Sequence, residues 1–99
     1  METMFVTYPG DAGTRFDRDH YVETHLPLVM EAWGPHGLES VAAFFPAGDG
    51  AGTVALAVCE FRDRAAVDAA LDSPETGRVM ADIENFTDAE PARSLAASL

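Results

Sequence analysis

The spacing of apolar positions changes several times along the chain, and each change marks an element. Thr3 to Tyr8 carries Phe, Val, Thr and Tyr and runs into Pro9, which suits a strand. From Phe16 to Trp33 the pattern lengthens to helical spacing. Asp17 and Asp19 fall in the first turn, where they favour the dipole, and Gly34-Pro35 is the stop. Pro27 interrupts this helix by removing a backbone hydrogen bond, and a bend near Glu23 is expected to split it into two unequal pieces. Leu38 to Phe45 and Thr53 to Phe61 read as two strands joined by a Gly/Ala/Asp loop, a hairpin with a long tip. Asp63 to Leu71 is a short helix with Ala66, Val67, Ala70 and Leu71 on one side. Ser73-Pro74-Glu75 starts a second helical piece, serine as cap and proline first, running to about Asn85. Phe86 to Leu99 is poor strand material, although an edge strand tolerates Pro91.

Strand, helix, strand, strand, helix, strand is the ferredoxin-like βαββαβ order, an α+β fold with one antiparallel sheet and its helices on one face. With no repeat or linker, residues 1–99 read as one domain. Both faces of the hairpin are apolar: Val54, Leu56 and Val58 alternate with Ala55, Ala57 and Cys59, and Phe44 and Phe45 point oppositely. A sheet covered by helices on one side should be polar on the other. The uncovered face therefore needs a lid, for which a second copy of the chain is the simplest solution.

Laid out at about 100° per residue, Tyr21, Leu28, Ala32, His25, Val29, Val22, Trp33 and Leu26 share an arc of about 160° facing the sheet. His20 falls on the wet side. An imidazole one turn from a phenol on an apolar wall can do acid–base chemistry, because histidine titrates near neutrality and tyrosine donates to a developing oxyanion. His25 is equally readable as a core histidine bonded to a backbone carbonyl, such as one freed by Pro27. Asp82 sits at the edge of the stripe formed by Val79 and Ile83, either reaching the same space or solvated at a helix end. Tyr8, Trp33, Phe44, Phe45 and Phe86 can be core, ligand wall or both.

Composition narrows the chemistry. Six Lys+Arg against 17 Asp+Glu give a formal charge of −11, which disfavours nucleic acid as a partner. All the cations are arginines, so lysine Schiff bases and a phosphate loop ending in Gly-Lys are excluded. No segment is long and apolar enough to span a bilayer, and METMFVTYPG has no signal-peptide pattern, so the cytoplasm is the expected location. Cys59 has no disulfide partner and no cationic neighbour in sequence, and reads as packing. His20 and His25, five apart on different faces, match no metal-ligand spacing, and Gly48-x-Gly50-x-Gly52 lies at a hairpin tip rather than a strand-to-helix turn. No metal is expected. Haem through His25 alone is a weaker alternative.

The stretch Phe16-Asp17-Arg18-Asp19-His20-Tyr21-Val22-Glu23-Thr24-His25-Leu26-Pro27-Leu28, preceded by Met4-Phe5-Val6-Thr7-Tyr8-Pro9, resembles the opening of the EthD family in the dimeric α+β barrel superfamily. Ala81-Asp82-Ile83-Glu84-Asn85-Phe86-Thr87-Asp88 is similar to that family's second signature. The resemblance implies a homodimer whose sheets pair into a barrel, each protomer holding a small apolar pocket bordered by His25, with Tyr21, His25, Pro27 and Leu28 as the signature segment. Superfamily relatives include cofactor-free cyclases, isomerases, small monooxygenases and haem-degrading enzymes, and the family is named for an accessory protein of ether degradation. Ala92 to Leu99 departs from the pattern by lacking the β-branched residues of a fourth strand.

The expectation is a cofactor-independent enzyme acting on a small apolar carbonyl or aromatic compound. His25 would be the base, Tyr21 would polarise an oxygen, Asp82 would set the imidazole tautomer, and Tyr8, Leu28, Val29, Trp33, Phe44 and Phe86 would line the pocket. The alternative is a non-catalytic ligand-binding or accessory protein with the same pocket. The acidic surface implies little affinity for anionic ligands, although a carboxylate held by Arg18 or Arg78 is compatible with it.

Overall fold

Strand β1 (Glu2–Pro9) lies between β3 (Thr53–Phe61) and β4 (Ala92–Ala96) in a computed structural model that describes residues 1–97. With β2 (Leu38–Phe44) outside β3, the order is β2-β3-β1-β4 and every pairing is antiparallel, the ferredoxin-like arrangement. Pro91 stands just before the edge strand β4, where no ladder bond needs its missing N–H. The weak β propensity of Ala92–Ala96 is offset by pairing along β1 from Thr3 to Thr7. Ser98 and Leu99, the end of that segment, lie outside the described residues.

Period-2 alternation sorts the sheet cleanly. Met4 and Tyr8 of β1 and Ala55, Ala57, Cys59 and Phe61 of β3 are buried beneath the helices. Val54, Leu56 and Val58 point the other way and are half-buried, while Phe44, opposite Leu56, is 55% exposed. The apolar second face is therefore real, and Phe44 belongs to it rather than to the space between sheet and helices.

The long helix starts later than its periodicity implies. Asp17 caps it, its side chain accepting from His20 N at 3.0 Å, while Phe16 forms an isolated bridge with Thr87. After α1 (Arg18–His20) the chain makes a π turn, Tyr21–His25, and resumes as α2 (Leu26–Trp33). Leu26 N–H reaches back five residues to the Tyr21 carbonyl, so Pro27 falls in the first turn of α2, where a missing N–H costs least. The disturbance near Glu23 is thus a widening of the helix.

Gly37 ends the short turn after α2 at φ +114°, and a side chain there would collide with Ala66 Cβ on α3 (Arg64–Asp72). Asp63 caps α3 by accepting from Ala66 N at 2.8 Å. Ser73 does not cap the next helix: its Oγ donates to Ala70 O at 2.7 Å, closing α3, and α4 (Thr76–Asp82) begins later. A 3-10 turn, Ile83–Asn85, continues it and delivers Phe86 to the core. No helix among the described residues is long and apolar enough to cross a membrane.

Candidate functional site

The π turn decides which side chains meet. In an α-helix residues four apart stack over one another; with five-residue hydrogen bonding, residues five apart do so. His20 and His25, placed on different faces by α-helical spacing, consequently both reach the Asp82 carboxylate at the end of α4. His25 Nδ1 lies 2.8 Å from Oδ2, and His20 Nε2 lies 3.0 Å from Oδ1. Asn85 Nδ2 donates to Oδ1 at 3.0 Å. Burial alone would raise the Asp82 pKa, but the hydrogen bonds from Asn85, His25 and His20 outweigh it and hold the carboxyl below its ordinary value. An ionised carboxylate only accepts, so His25 carries its proton on Nδ1 and keeps the Nε2 lone pair.

His25 is 3% exposed, and that burial lowers its pKa against the opposing pull of Asp82. Its ring stacks on Tyr21 at 5.7 Å and packs against Phe86 at 4.6 Å. Tyr8, Phe16, Tyr21, Phe45 and Phe86 complete an aromatic cluster with mostly edge-to-face contacts. Burial raises the pKa of both Tyr8 and Tyr21, keeping the phenols protonated and hence potential donors. Tyr21 is fully buried, and its hydroxyl has no hydrogen-bond partner among the described residues. Tyr8 stands beside it, and a phenol–phenol contact outside strict hydrogen-bond geometry adds to the rise of the Tyr21 pKa.

These groups border a cavity of about 120 Å³ between sheet and helices. Tyr8, Tyr21, His25, Val29 and Trp33 line it, as the sequence indicates. Five expected positions differ. Phe44 is on the open sheet face. Leu28 is replaced by Leu26, and Val22 is 47% exposed, because the π turn rotates the helix relative to an α-helical arc. Phe86 sits behind the imidazole without facing the cavity, and His20, still partly exposed, turns to bond Asp82. Arg18 lies over the Phe45 ring at 4.4 Å and Arg78 beside Glu31 at 3.6 Å, so neither faces the cavity. Arg93, on β4, does. Cys59 also lines it, but burial pushes its thiol up to about 12, leaving no thiolate near neutrality. No group of three or more His, Cys, Asp or Glu side chains among the described residues is arranged to hold a metal ion.

Fold and site together define a class: a ferredoxin-like α+β protein with a small apolar cavity beside a histidine–aspartate pair. A model of the EthD domain matches residues 12–90, and the chain belongs to the EthD family. An EthD-like protein from Ralstonia eutropha JMP134 superposes with TM-score 0.80 at 24% identity, covering 96% of this chain and 88% of the other. An ethyl tert-butyl ether D (EthD) family protein from Bacillus halodurans C-125 gives TM-score 0.73 at 18% identity over the whole of both chains. SnoaB, a cofactor-independent oxygenase from Streptomyces nogalater, gives 0.66 at 14% over 99% of this chain and 95% of its own. At these identities the likeness is one of fold. No curated protein matches the sequence.

Proposed function

We propose that this protein is a cofactor-independent acid–base enzyme acting on a small, largely apolar carbonyl compound. The observation that carries this reading is the pairing of an unpartnered, fully buried Tyr21 hydroxyl with a neutral imidazole whose Nδ1 is held by Asp82, both bordering one cavity. A buried hydroxyl without a partner costs about 1–3 kcal/mol, which a ligand oxygen would recover. His25 Nε2 removes a proton next to the carbonyl, Tyr21 donates to the oxygen as charge develops, and Asp82 stabilises the imidazolium. The returned proton completes an isomerisation, or a cyclisation followed by loss of water. The cavity is close in size to the engineered void of about 150 Å³ that accepts benzene, so a single-ring compound fits. A haem macrocycle does not.

The protein acts in the cytoplasm as a homodimer, the open sheet face with Phe44, Leu56 and Val58 covered by a second copy. Light scattering should give a dimer, and Phe44→Glu a monomer.

The test of the chemistry is exchange of the α-protons of cyclohexanone in D2O, followed by NMR. The protein should accelerate exchange over buffer, with His25→Ala losing about 10²–10⁴-fold. Wild-type protein no faster than buffer favours the binding-only alternative, and undiminished exchange by a folded His25→Ala removes His25 from the chemistry.

A further inference from the structure

The cavity opens where its lining residues reach solvent, at Met80 on the last turns of α4 and at Arg93 on β4. Arg93 pairs with Val6, another cavity residue, so both side chains leave the sheet on the helix side. The other five arginines are engaged elsewhere. Arg15 bonds Asp88, Arg18 covers Phe45, Arg62 lies by Asp63, Arg64 by Asp68 and Arg78 by Glu31. Among the described residues, Arg93 alone has neither a carboxylate within 4.0 Å nor an aromatic ring beneath it, in a chain with 17 Asp+Glu to choose from. An arginine left unpaired in so acidic a molecule, at the mouth of an apolar cavity whose inner donor is also unpartnered, marks two ends of one ligand.

We propose that the ligand is a ring-sized compound carrying an ionised carboxylate, which Arg93 binds at the cavity mouth while Tyr21 meets a neutral oxygen inside. This rests on the cavity being a binding site and adds the acid function. The overall charge of −11 repels anions at long range, so a carboxylate gains a hold here only from a local cation. A planar guanidinium offers it two parallel hydrogen bonds. The interior supplies no second charge to compete, because His25 is neutral and both phenols are protonated at pH 7.

The test compares benzoate with its neutral counterpart benzamide by calorimetry, with the NMR shifts of the His25 and Tyr21 rings reporting whether the probe occupies the cavity. Wild-type protein should bind benzoate about tenfold more tightly than benzamide. Arg93→Gln should abolish that preference while moving benzamide affinity less than twofold, and added salt should weaken benzoate alone. Benzamide binding in the cavity with no benzoate preference, or a preference that survives Arg93→Gln, overturns the role of Arg93 and leaves the cavity as a binding site. Failure of both probes to shift the His25 and Tyr21 rings overturns both.

Discussion

At one end of the core, Trp33, Phe61, Val67, Ala70 and Val79 pack with the one polar group of the tryptophan bonded. Trp33 Nε1 donates to Thr76 Oγ1 at 2.9 Å, and that hydroxyl donates on to Ala70 O at 2.7 Å. At the other end, Tyr8, Tyr21 and Phe86 surround histidines tied to a carboxylate, and one phenol has no partner. The core residues named at both ends are all buried, so burial does not distinguish them. The difference lies in polar satisfaction. The first end gives the cavity an apolar wall through Trp33 and Val79; the second holds titratable groups at shifted pKa values and an open valence, the arrangement associated with binding and catalysis.

Truncating the satisfied end should have the largest effect. Phe61→Ala should lower unfolding free energy by about 3–5 kcal/mol in a denaturant titration, because the surrounding strands cannot close on the void. A value under about 1 kcal/mol would mean that this end is as loose as the other.

Acidification should act on the aromatic end. Burial lowers the His25 pKa in the folded protein, whereas the unfolded chain takes up the proton near 6.5. Stability is thus fully present above that value and is lost as pH falls toward the folded-state pKa, at up to about 1.4 kcal/mol per pH unit from this one group. Asp82, held below 3.8, adds a loss of the same sign at lower pH. His25→Gln should flatten the upper limb of the melting-temperature profile; an unchanged limb would assign it to another group.

Tyr21→Phe should have the smallest effect on stability, between no change and a gain of about 1 kcal/mol, since it removes a hydroxyl that bonds to nothing in the protein. Ligand affinity and proton exchange should both fall. A destabilisation above about 1 kcal/mol would reveal a partner for the hydroxyl and merge the two ends into one kind of core.

How much the sequence discloses follows the same division. β3 is legible to the residue, Thr53 to Phe61, because alternation over a half-buried sheet has no rival pattern. Tyr21, His25 and Val29 are placed inward correctly because neighbouring turns of a helix keep a common face under either hydrogen-bond pattern. His20, Val22 and Leu28 are misplaced, since the arc assumes α-helical spacing through a segment that Pro27 prevents from being α-helical. The proline was the available signal, and its consequence is a π turn. Arg93 was invisible for a different reason. Ala92–Ala96 has no apolar alternation, so only its register against Val6 tells which way the guanidinium faces. Ser73 looked like a cap by residue type, and the preceding helix end took its hydroxyl instead.

Asp82 fixes a neutral His25 with its proton on Nδ1 and its lone pair on Nε2. Nitrogen NMR of the imidazole across pH 4 to 8 reads this directly. The ring should be neutral at pH 7, protonated at Nδ1, and titrate below 6.5. A ring protonated at Nε2, or still charged at pH 7, would contradict it.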